Sequence, residues 1–189
     1  GSTELDIEFD QGGRRVVIHD DGDGMSKADL ALCLRRHATS KIANSDDLFN
    51  LASFGFRGEA LASVAAVSRL TVTSRARGEA KAYRLQSDFG AALEPVEVSG
   101  RPGTEIRVND LFENVPARLK FLKSEAAEHT QIKNVIKALA LAHEEVGFRV
   151  KSRGELIFHW PKSQTFLERA KAVLGTEDLH PGRLELEGM

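Results

Sequence analysis

The stretch Gly55-Phe56-Arg57-Gly58-Glu59-Ala60-Leu61 is the most informative part of this sequence for the fold. Its two glycines flank an arginine just before a predicted helix from about Glu59 to Val67. Glycine lets backbone amides approach a ligand closely, and a helix start leaves N–H groups unpaired. Those groups and the helix dipole favour an anion such as a phosphate. No Gly-Lys-Ser/Thr follows, so this is not a Walker loop. A tight turn with Arg57 on the surface is the alternative interpretation.

A second glycine loop, Asp20-Asp21-Gly22-Asp23-Gly24, follows a predicted strand at residues 14–19. A carboxylate at Asp20 can accept a hydrogen bond from an adenine amino group, while Gly22 and Gly24 leave room for base and ribose. A charge-assisted bond of this type contributes roughly 1.5–3 kcal/mol. An acidic turn or a loose calcium loop is the alternative, although the twelve-residue calcium pattern ending in Glu is absent.

Two further polar segments accompany these loops. Arg36-His37-Ala38-Thr39-Ser40-Lys41 lies between them and offers hydroxyls at Thr39 and Ser40 and a point charge at Lys41, all suited to phosphate. By itself it also fits a polar helix terminus. Gly103-Thr104 precedes a predicted strand and alone would be a loop detail.

The composition is that of a soluble globular protein of about one domain. The chain has 189 residues, of which 41% are hydrophobic and 29% charged, and its net charge is −2. This balance gives no global electrostatic case for nucleic-acid binding. The single Cys33 excludes an internal disulfide framework and a cysteine-based zinc site, and favours a reducing compartment. No apolar run approaches the ~20 residues of a membrane span, and the six histidines lack metal-ligand spacing, so we expect no metal site.

Hydrophobic periodicity predicts an α+β sandwich with helices on one face of a mixed, mostly antiparallel sheet. We expect strands at residues 3–9, 14–19, 69–75, 80–86, 92–98, 104–108, 147–152 and 155–159. We expect helices from Ser26 to about Arg36, near 46–51, and at about 59–67, 125–145 and 161–174. The 125–145 helix should bury Ile132, Val135, Ile136, Leu139 and 141–142 and stop at Gly147.

The domain boundary is predicted after Gly175. Residues 1–175 form one domain, and residues 176–189 form a linker that enters a strand at Leu184-Glu185-Leu186-Glu187.

Taken together and in order, the four polar segments resemble the N-terminal ATPase domain of the MutL family of DNA mismatch repair factors. That family belongs to the GHKL superfamily, whose fold is the Bergerat-type two-layer α/β sandwich. Gly55 to Leu61, with Thr39-Ser40-Lys41 upstream, carries most of the specificity. Asn114-Val115-Pro116-Ala117-Arg118 followed by Lys120-Phe121-Leu122 adds to it. The Arg36 to Lys41 segment has a bacterial form.

The resemblance implies a role for each segment. Asp20 should bind the adenine amine, Gly22 and Gly24 should shape the adenosine pocket, and Thr104 should support the base beside Asp20. Thr39, Ser40 and Lys41 should line the nucleotide. The mobile lid should include Gly55, Phe56, Arg57, Gly58, Glu59, Ala60 and Leu61.

The resemblance also implies a function in the longer protein. ATP, with Mg²⁺, should order the lid and drive N-terminal homodimerisation. It should also control contacts with DNA, a MutS-type mismatch sensor, and nuclease and helicase partners, in a cytoplasmic, nucleoid-associated setting.

One departure from the family concerns hydrolysis. The family's first motif supplies a Glu that activates water and an Asn that holds magnesium, and neither has a counterpart here. Glu4 and Glu8 lie on a predicted strand and do not match. The parent is therefore expected to be a slow ATPase, and this chain to hydrolyse ATP negligibly, because general-base and metal contributions to phosphoryl transfer are large.

Two alternatives remain open. A histidine kinase catalytic domain fits the lid residues less well. A non-catalytic DNA- or partner-binding module would use a basic face, with these candidate residues: Arg118, Lys120, Lys123, Lys133, Lys137, Arg149, Lys151 and Arg153.

Overall fold

The computed structural model describes residues 1–35, 60–163 and 165–180. Within them, the strands are β1 (Glu4–Asp10), β2 (Arg15–Asp20), β3 (Arg69–Arg75), β4 (Ala82–Asp88), β5 (Ala91–Ala92), β6 (Val96–Val98), β7 (Gly103–Asn109), β8 (Gly147–Ser152) and β9 (Glu155–Trp160). The helices are α1 (Lys27–Leu32), α2 (Ala60–Ala65), α3 (Pro116–Leu119), α4 (Glu125–Ala142) and α5 (Phe166–Leu174). The predicted α+β class is confirmed.

One mixed sheet contains all the described strands. Its order is β5-β4-β3-β7-β2-β1-β8-β9, and β6 also pairs with β4. The pairing is antiparallel throughout, except that β1 and β8 are parallel. This arrangement places β2 and β7 side by side at the centre of the sheet.

The described helices cover one face of this sheet. Alternation along β1 turns Ile7 and Phe9 toward α4, where they form a core with Ile136 and Ala140. A second core, under α1 and α2, is formed by Leu30, Ala65, Leu70, Val72 and Leu85. On the central strands the residues of this face are only partly buried: Val16, Ile18, Ile106 and Val108.

Helix α4 differs from the prediction in which residues it buries and in where its C-terminal end lies. The buried positions are His129, Ile136 and Ala140, whereas Val135 and Leu139 are 59% and 45% exposed. Each exposed residue precedes a buried one, and one step along a helix rotates the side chain by roughly 100°. The helix also ends at Ala142, because His143 leaves the helical conformation with φ −136° and ψ +68°, and the chain then enters the β1–β8 pairing, where the N–H of Gly147 donates to the carbonyl oxygen of Thr3 at 2.8 Å.

Two other helices begin or end elsewhere than predicted. Helix α1 ends at Leu32, short of Arg36. Helix α5 begins at Phe166 rather than Pro161, because Thr165 and Glu168 form a capping box at that point; it ends at Gly175 as predicted. The predicted strand at 92–98 is divided into β5 and β6, with Pro95, which has no N–H to donate, between them.

Some predicted elements fall outside the described residues: the helix near 46–51 and the strand at 184–187. Within the described part of the chain, no helix is both long and apolar enough to cross a membrane.

Candidate functional site

A short polar row interrupts the helix-covered face of the sheet at one end. Along β2, Val16 and Ile18 point to this face, and the next position of the alternation is Asp20. The strand register pairs Asp20 with Thr104 on β7, and Thr104 with Ser74 on β3. Three neighbouring strands therefore each replace an apolar residue with a hydrogen-bonding one at the same level.

Asp20 is half-buried, and part of its carboxylate is available. Its Oδ1 atom accepts a hydrogen bond from the N–H of Gly22 at 2.9 Å. Within residues 1–35, 60–163 and 165–180, no cation forms an ion pair with it. A Cβ at position 22 would lie 2.8 Å from Oδ1, so the glycine permits this tight turn. The arrangement presents a carboxylate oxygen to a hydrogen-bond donor such as an amine.

Two glycines fix the backbone around Asp20. Gly24 has a φ of +69° and lies against the carbonyl group of Arg75, which occupies the space that a Cβ would need. Gly103 has a φ of +103° and packs in the same way against the carbonyl group of Asp20. Both conformations strongly favour glycine, and both contacts hold the loop after β2 against the ends of β3 and β7.

Hydroxyl groups form a connected set beside Asp20. The Oγ atom of Ser74 lies 2.9 Å from Oγ1 of Thr104 and 3.0 Å from the carbonyl oxygen of Gly103, to which it donates. It also accepts the N–H of Met25 at 2.8 Å. Ser74 is 1% exposed and Thr104 is 8% exposed. Sequence reasoning identified Thr104 but missed Ser74.

Asp21 has a different task from Asp20. It accepts hydrogen bonds from the hydroxyl of Thr3 at 2.6 Å and from the N–H groups of Thr3 and Glu4 at 2.7 and 2.9 Å. Burial alone would raise its pKa, but these bonds outweigh that effect and lower the pKa to about 2. Asp21 therefore anchors the start of β1.

Only some of the residues predicted to bind the phosphates are among the described residues. Most of the residues predicted for this end lie outside the described residues: Thr39, Ser40, Lys41, Gly55, Phe56, Arg57, Gly58 and Glu59. Ala60 and Leu61 open helix α2. Leu61 packs against the same core cluster as Met25, whose N–H bonds to Ser74. The last residue of the predicted lid and the loop after Asp20 thus pack on a common core.

The described surface also contains two depressions away from Asp20. One, of about 200 Å³, lies on the open face of the sheet and includes Arg149 and Lys151 beside Asp6 and Glu8. The other, of about 570 Å³, lies between α4 and the β8–β9 hairpin and includes Lys133 and Arg153.

The remaining candidates for a basic face do not gather on one surface either. Lys137 lies over the ring of Phe158, and Arg118 over the ring of Phe112. Lys120 and Lys123 lie between α3 and α4. The eight basic residues of the proposed face are therefore divided among separate surfaces.

One cluster in the described part of the chain approaches a metal-ligand arrangement, although no metal site was predicted. Ligand atoms of Asp10, Glu125 and His129 lie within 4.8 Å of one another. Each is already engaged: Asp10 Oδ1 accepts the N–H of Gln11, Glu125 Oε1 accepts from Arg153 at 2.6 Å, and His129 Nε2 accepts the N–H of Gly12 at 3.2 Å. The bond between Gly12 and His129 joins the β1–β2 turn to α4, and the bond between Arg153 and Glu125 joins the β8–β9 turn to the same helix, which are structural tasks.

Comparison with known proteins extends these observations. A family model described as "Histidine kinase-, DNA gyrase B-, and HSP90-like ATPase" matches residues 1–114, which include Asp20, Ser74 and Thr104. The chain belongs to this ATPase family. This match and the relatives described below confirm two predictions from the sequence: the resemblance to bacterial MutL and the GHKL fold class.

Relatives of this ATPase family align along the whole chain. The DNA mismatch repair protein MutL of Geobacter sulfurreducens is 44% identical over 193 residues, which cover 100% of this chain and 32% of that protein. MutL of Neisseria meningitidis is 43% identical over 188 residues, covering 99% of this chain and 28% of that protein. The chain thus spans about a third or less of the length of these two relatives.

The fold matches solved structures of the same kind. The Aquifex aeolicus MutL ATPase domain complexed with ADP superposes with a TM-score of 0.72 at 28% identity, covering 93% of this chain and 62% of that one. The N-terminal domain of a DNA repair protein superposes with a TM-score of 0.74 at 26% identity, covering 91% of this chain and 51% of that one.

Proposed function

We propose that this chain is the nucleotide-binding core of a MutL-type DNA mismatch repair ATPase and that it binds ATP at Asp20. The observation that carries the proposal is the half-buried Asp20 carboxylate, free of any described cation and level with Thr104. Support comes from the Aquifex aeolicus MutL domain, which was solved with ADP.

The chemistry around Asp20 suits a purine. The 6-amino group of adenine would donate to Asp20, and the partly buried Ile18 and Ile106 next to the polar row offer an apolar surface for the flat ring. Guanine in the same orientation would present a carbonyl oxygen to the carboxylate, a mismatch that such sites reject strongly. Gly22 and Gly24 keep the surrounding backbone free of side chains.

The phosphate end is proposed to involve residues 39–41 and the lid. Lys41 would supply a charge, Thr39 and Ser40 would supply hydroxyls, and backbone N–H groups from Gly55 to Leu61 would contact the phosphates. We propose that residues 1–175 form this domain and that residues 176–189 lead into a second one.

Hydrolysis by this chain is proposed to be negligible. The acidic residues of β1 belong to the other face of the sheet: Glu8 alternates with Ile7 and Phe9 and pairs with Arg15 at 2.8 Å. Of the carboxylates beside Asp20, Asp21 is held by Thr3 and Glu4, and Asp23 lies near Arg77. The described residues beside Asp20 therefore do not fit a Mg²⁺ site.

In the longer protein, we propose that ATP binding orders the lid and controls homodimerisation. The same switch would govern contacts with DNA, a MutS-type sensor, and nuclease and helicase partners, in the cytoplasm and near the nucleoid.

Binding of a fluorescent ATP analogue tests the site. Asp20→Asn should weaken binding by about 10- to 100-fold, because it removes a charge-assisted hydrogen bond. Asp23→Asn is the matched control: its carboxylate is in the same loop but is 72% exposed, so affinity should change less than about twofold. Equal binding by the Asp20→Asn variant and the unmodified chain would overturn the adenine role.

Two further measurements separate the alternatives. A steep loss of DNA affinity with salt, unaffected by ATP, would favour the DNA-binding module over the nucleotide site. A longer chain that includes the family's first motif should gain tight ATP binding and measurable turnover, and no gain would contradict the proposed cause of the hydrolysis defect.

A further inference from the structure

Ser74 lies at the β3 end of the polar row and connects three parts of the proposed base pocket. Its side chain is 1% exposed on the helix-covered face of the sheet. Its strand, β3, lies between β7 and β4. Its hydroxyl contacts Met25 on the loop after Asp20, Gly103 at the start of β7, and Thr104. Ser74 therefore lies behind the residues expected to meet the base and is inaccessible to a ligand.

The hydrogen-bond inventory of Ser74 restricts what Thr104 can offer. A serine hydroxyl has one proton to donate and two lone pairs to accept with. The proton is directed to the carbonyl oxygen of Gly103 at 3.0 Å, and one lone pair accepts the N–H of Met25 at 2.8 Å. The remaining lone pair faces Oγ1 of Thr104 at 2.9 Å, so the three contacts are satisfied together only when Thr104 is the donor. Thr104 then has only lone pairs to present on its other side.

We propose that Ser74 is a positioning residue for purine selectivity: it holds the Thr104 hydroxyl as a hydrogen-bond acceptor beside Asp20. This inference rests on the proposed function. Asp20 and Thr104 are directly paired across β2 and β7, which places their Cβ atoms roughly 5 Å apart. Two acceptors side by side match the donor amine of adenine, directly or through a water, and both oppose the carbonyl oxygen of guanine.

Without Ser74, the Thr104 hydroxyl is free to rotate and to donate. A donor at that position would accept guanine in place of adenine more readily, because the carbonyl oxygen would gain a partner. Ser74→Ala should therefore lower the ratio of the GTP dissociation constant to the ATP dissociation constant by about 5- to 10-fold, the effect of roughly one hydrogen bond.

The chain supplies a matched control for a purely structural effect. Ser87 is also a buried serine on the helix-covered face of the sheet, 4% exposed, but its Oγ atom has no hydrogen-bond partner among the residues that the structure describes. Ser87→Ala should leave the GTP-to-ATP ratio unchanged. An effect that comes only from the lost volume of a buried hydroxyl in this sheet would appear in both variants.

Competition binding with ATP and GTP against a fluorescent ATP analogue, on the unmodified chain and four variants, tests the proposal. The variants are Ser74→Ala, Ser87→Ala, Thr104→Val and the double variant Ser74→Ala/Thr104→Val. Thr104→Val should lower the ratio in the same direction as Ser74→Ala, and in its background Ser74→Ala should have no further effect on the ratio. If Ser74→Ala does not fold, Thr104→Val alone must lower the ratio for the proposal to stand.

Each contrary outcome has a distinct meaning. Equal weakening of ATP and GTP by Ser74→Ala, with an unchanged ratio, would make Ser74 a structural residue and overturn this proposal while the nucleotide site stands. A change in ratio that persists in the Thr104→Val background would also overturn it. If the unmodified chain does not bind ATP, or if Asp20→Asn binds ATP equally well, the proposed function fails and this inference fails with it.

Discussion

Gly24 lies against the carbonyl group of Arg75, so closely that the oxygen and carbon of that group occupy the space of a Cβ atom. This contact presses the loop after Asp20 onto the end of β3. It also gives Gly24 a structural role in addition to the one predicted from the sequence, which was to leave room for base and ribose.

Replacing this glycine should cost stability. Gly24→Ala should lower the free energy of unfolding by about 2–4 kcal/mol, because it combines a left-handed backbone with a clash against backbone atoms. Gly78→Ala is the matched control: its φ is +88°, but no atom of the described residues lies within 4 Å of its Cβ position, so about 1 kcal/mol is expected. Urea unfolding of both variants measures the difference, and equal losses would contradict the contact.

Asp21 should make the free energy of unfolding depend on pH in the acidic range. Its pKa is lowered from 3.8 to about 2 in the folded state, so its contribution is complete above about pH 4 and is lost as the pH falls through 2. The expected loss is about 1–2 kcal/mol, allowing for partial exposure. Asp21→Asn should flatten the stability profile between pH 4 and pH 2. Asp23→Asn, at a 72% exposed carboxylate, should leave the profile as it is, and a profile unchanged by Asp21→Asn would show that its hydrogen bonds do not stabilise the fold.

The elements whose signals are local were predictable from the sequence. The β8–β9 hairpin follows from its alternation and from Arg153-Gly154, both of which adopt positive φ. The end of α5 follows from Gly175, whose φ is +70°. Asp20 was also predictable as an unusual residue, because two glycines follow the strand that carries it.

Residues whose roles depend on strand register were not predictable in the same way. Ser74 follows Leu70 and Val72 in the apolar alternation of β3, as Asp20 follows Val16 and Ile18 on β2. Each of these polar residues interrupts the apolar alternation of its strand, and taken alone it looks like an ordinary strand end. Only the pairing of β2, β7 and β3 places the three breaks in one row. A search for aligned breaks in alternation would have found Ser74.

The face of α4 provides a direct comparison of a correct and a wrong prediction. Ile136 and Leu139 both fit an apolar helical stripe, but Ile136 is 5% exposed and Leu139 is 45% exposed. Ile136→Ala should therefore lower the free energy of unfolding by about 2–4 kcal/mol, and Leu139→Ala by less than about 1 kcal/mol. Denaturant unfolding measures both, and a large loss at Leu139 would show that this residue is covered by other atoms in solution.

His129 should be required for stability without any metal. It is 8% exposed, its ring meets Phe9 edge-on at 5.1 Å, and its Nε2 accepts the N–H of Gly12. His129→Ala should lower the free energy of unfolding by about 2–4 kcal/mol, because it leaves a cavity and an unpaired N–H. His159→Ala, at an exposed histidine on β9, should have little effect.

The hydrogen bond that His129 accepts also predicts how the protein responds to metal ions. The lone pair of Nε2 cannot accept the Gly12 N–H and bind a cation at the same time. The melting temperature of the protein should therefore be unchanged by a chelator and by added zinc. A fall with chelator that zinc reverses, and that His129→Ala abolishes, would show that Asp10, Glu125 and His129 bind a metal in place of these hydrogen bonds.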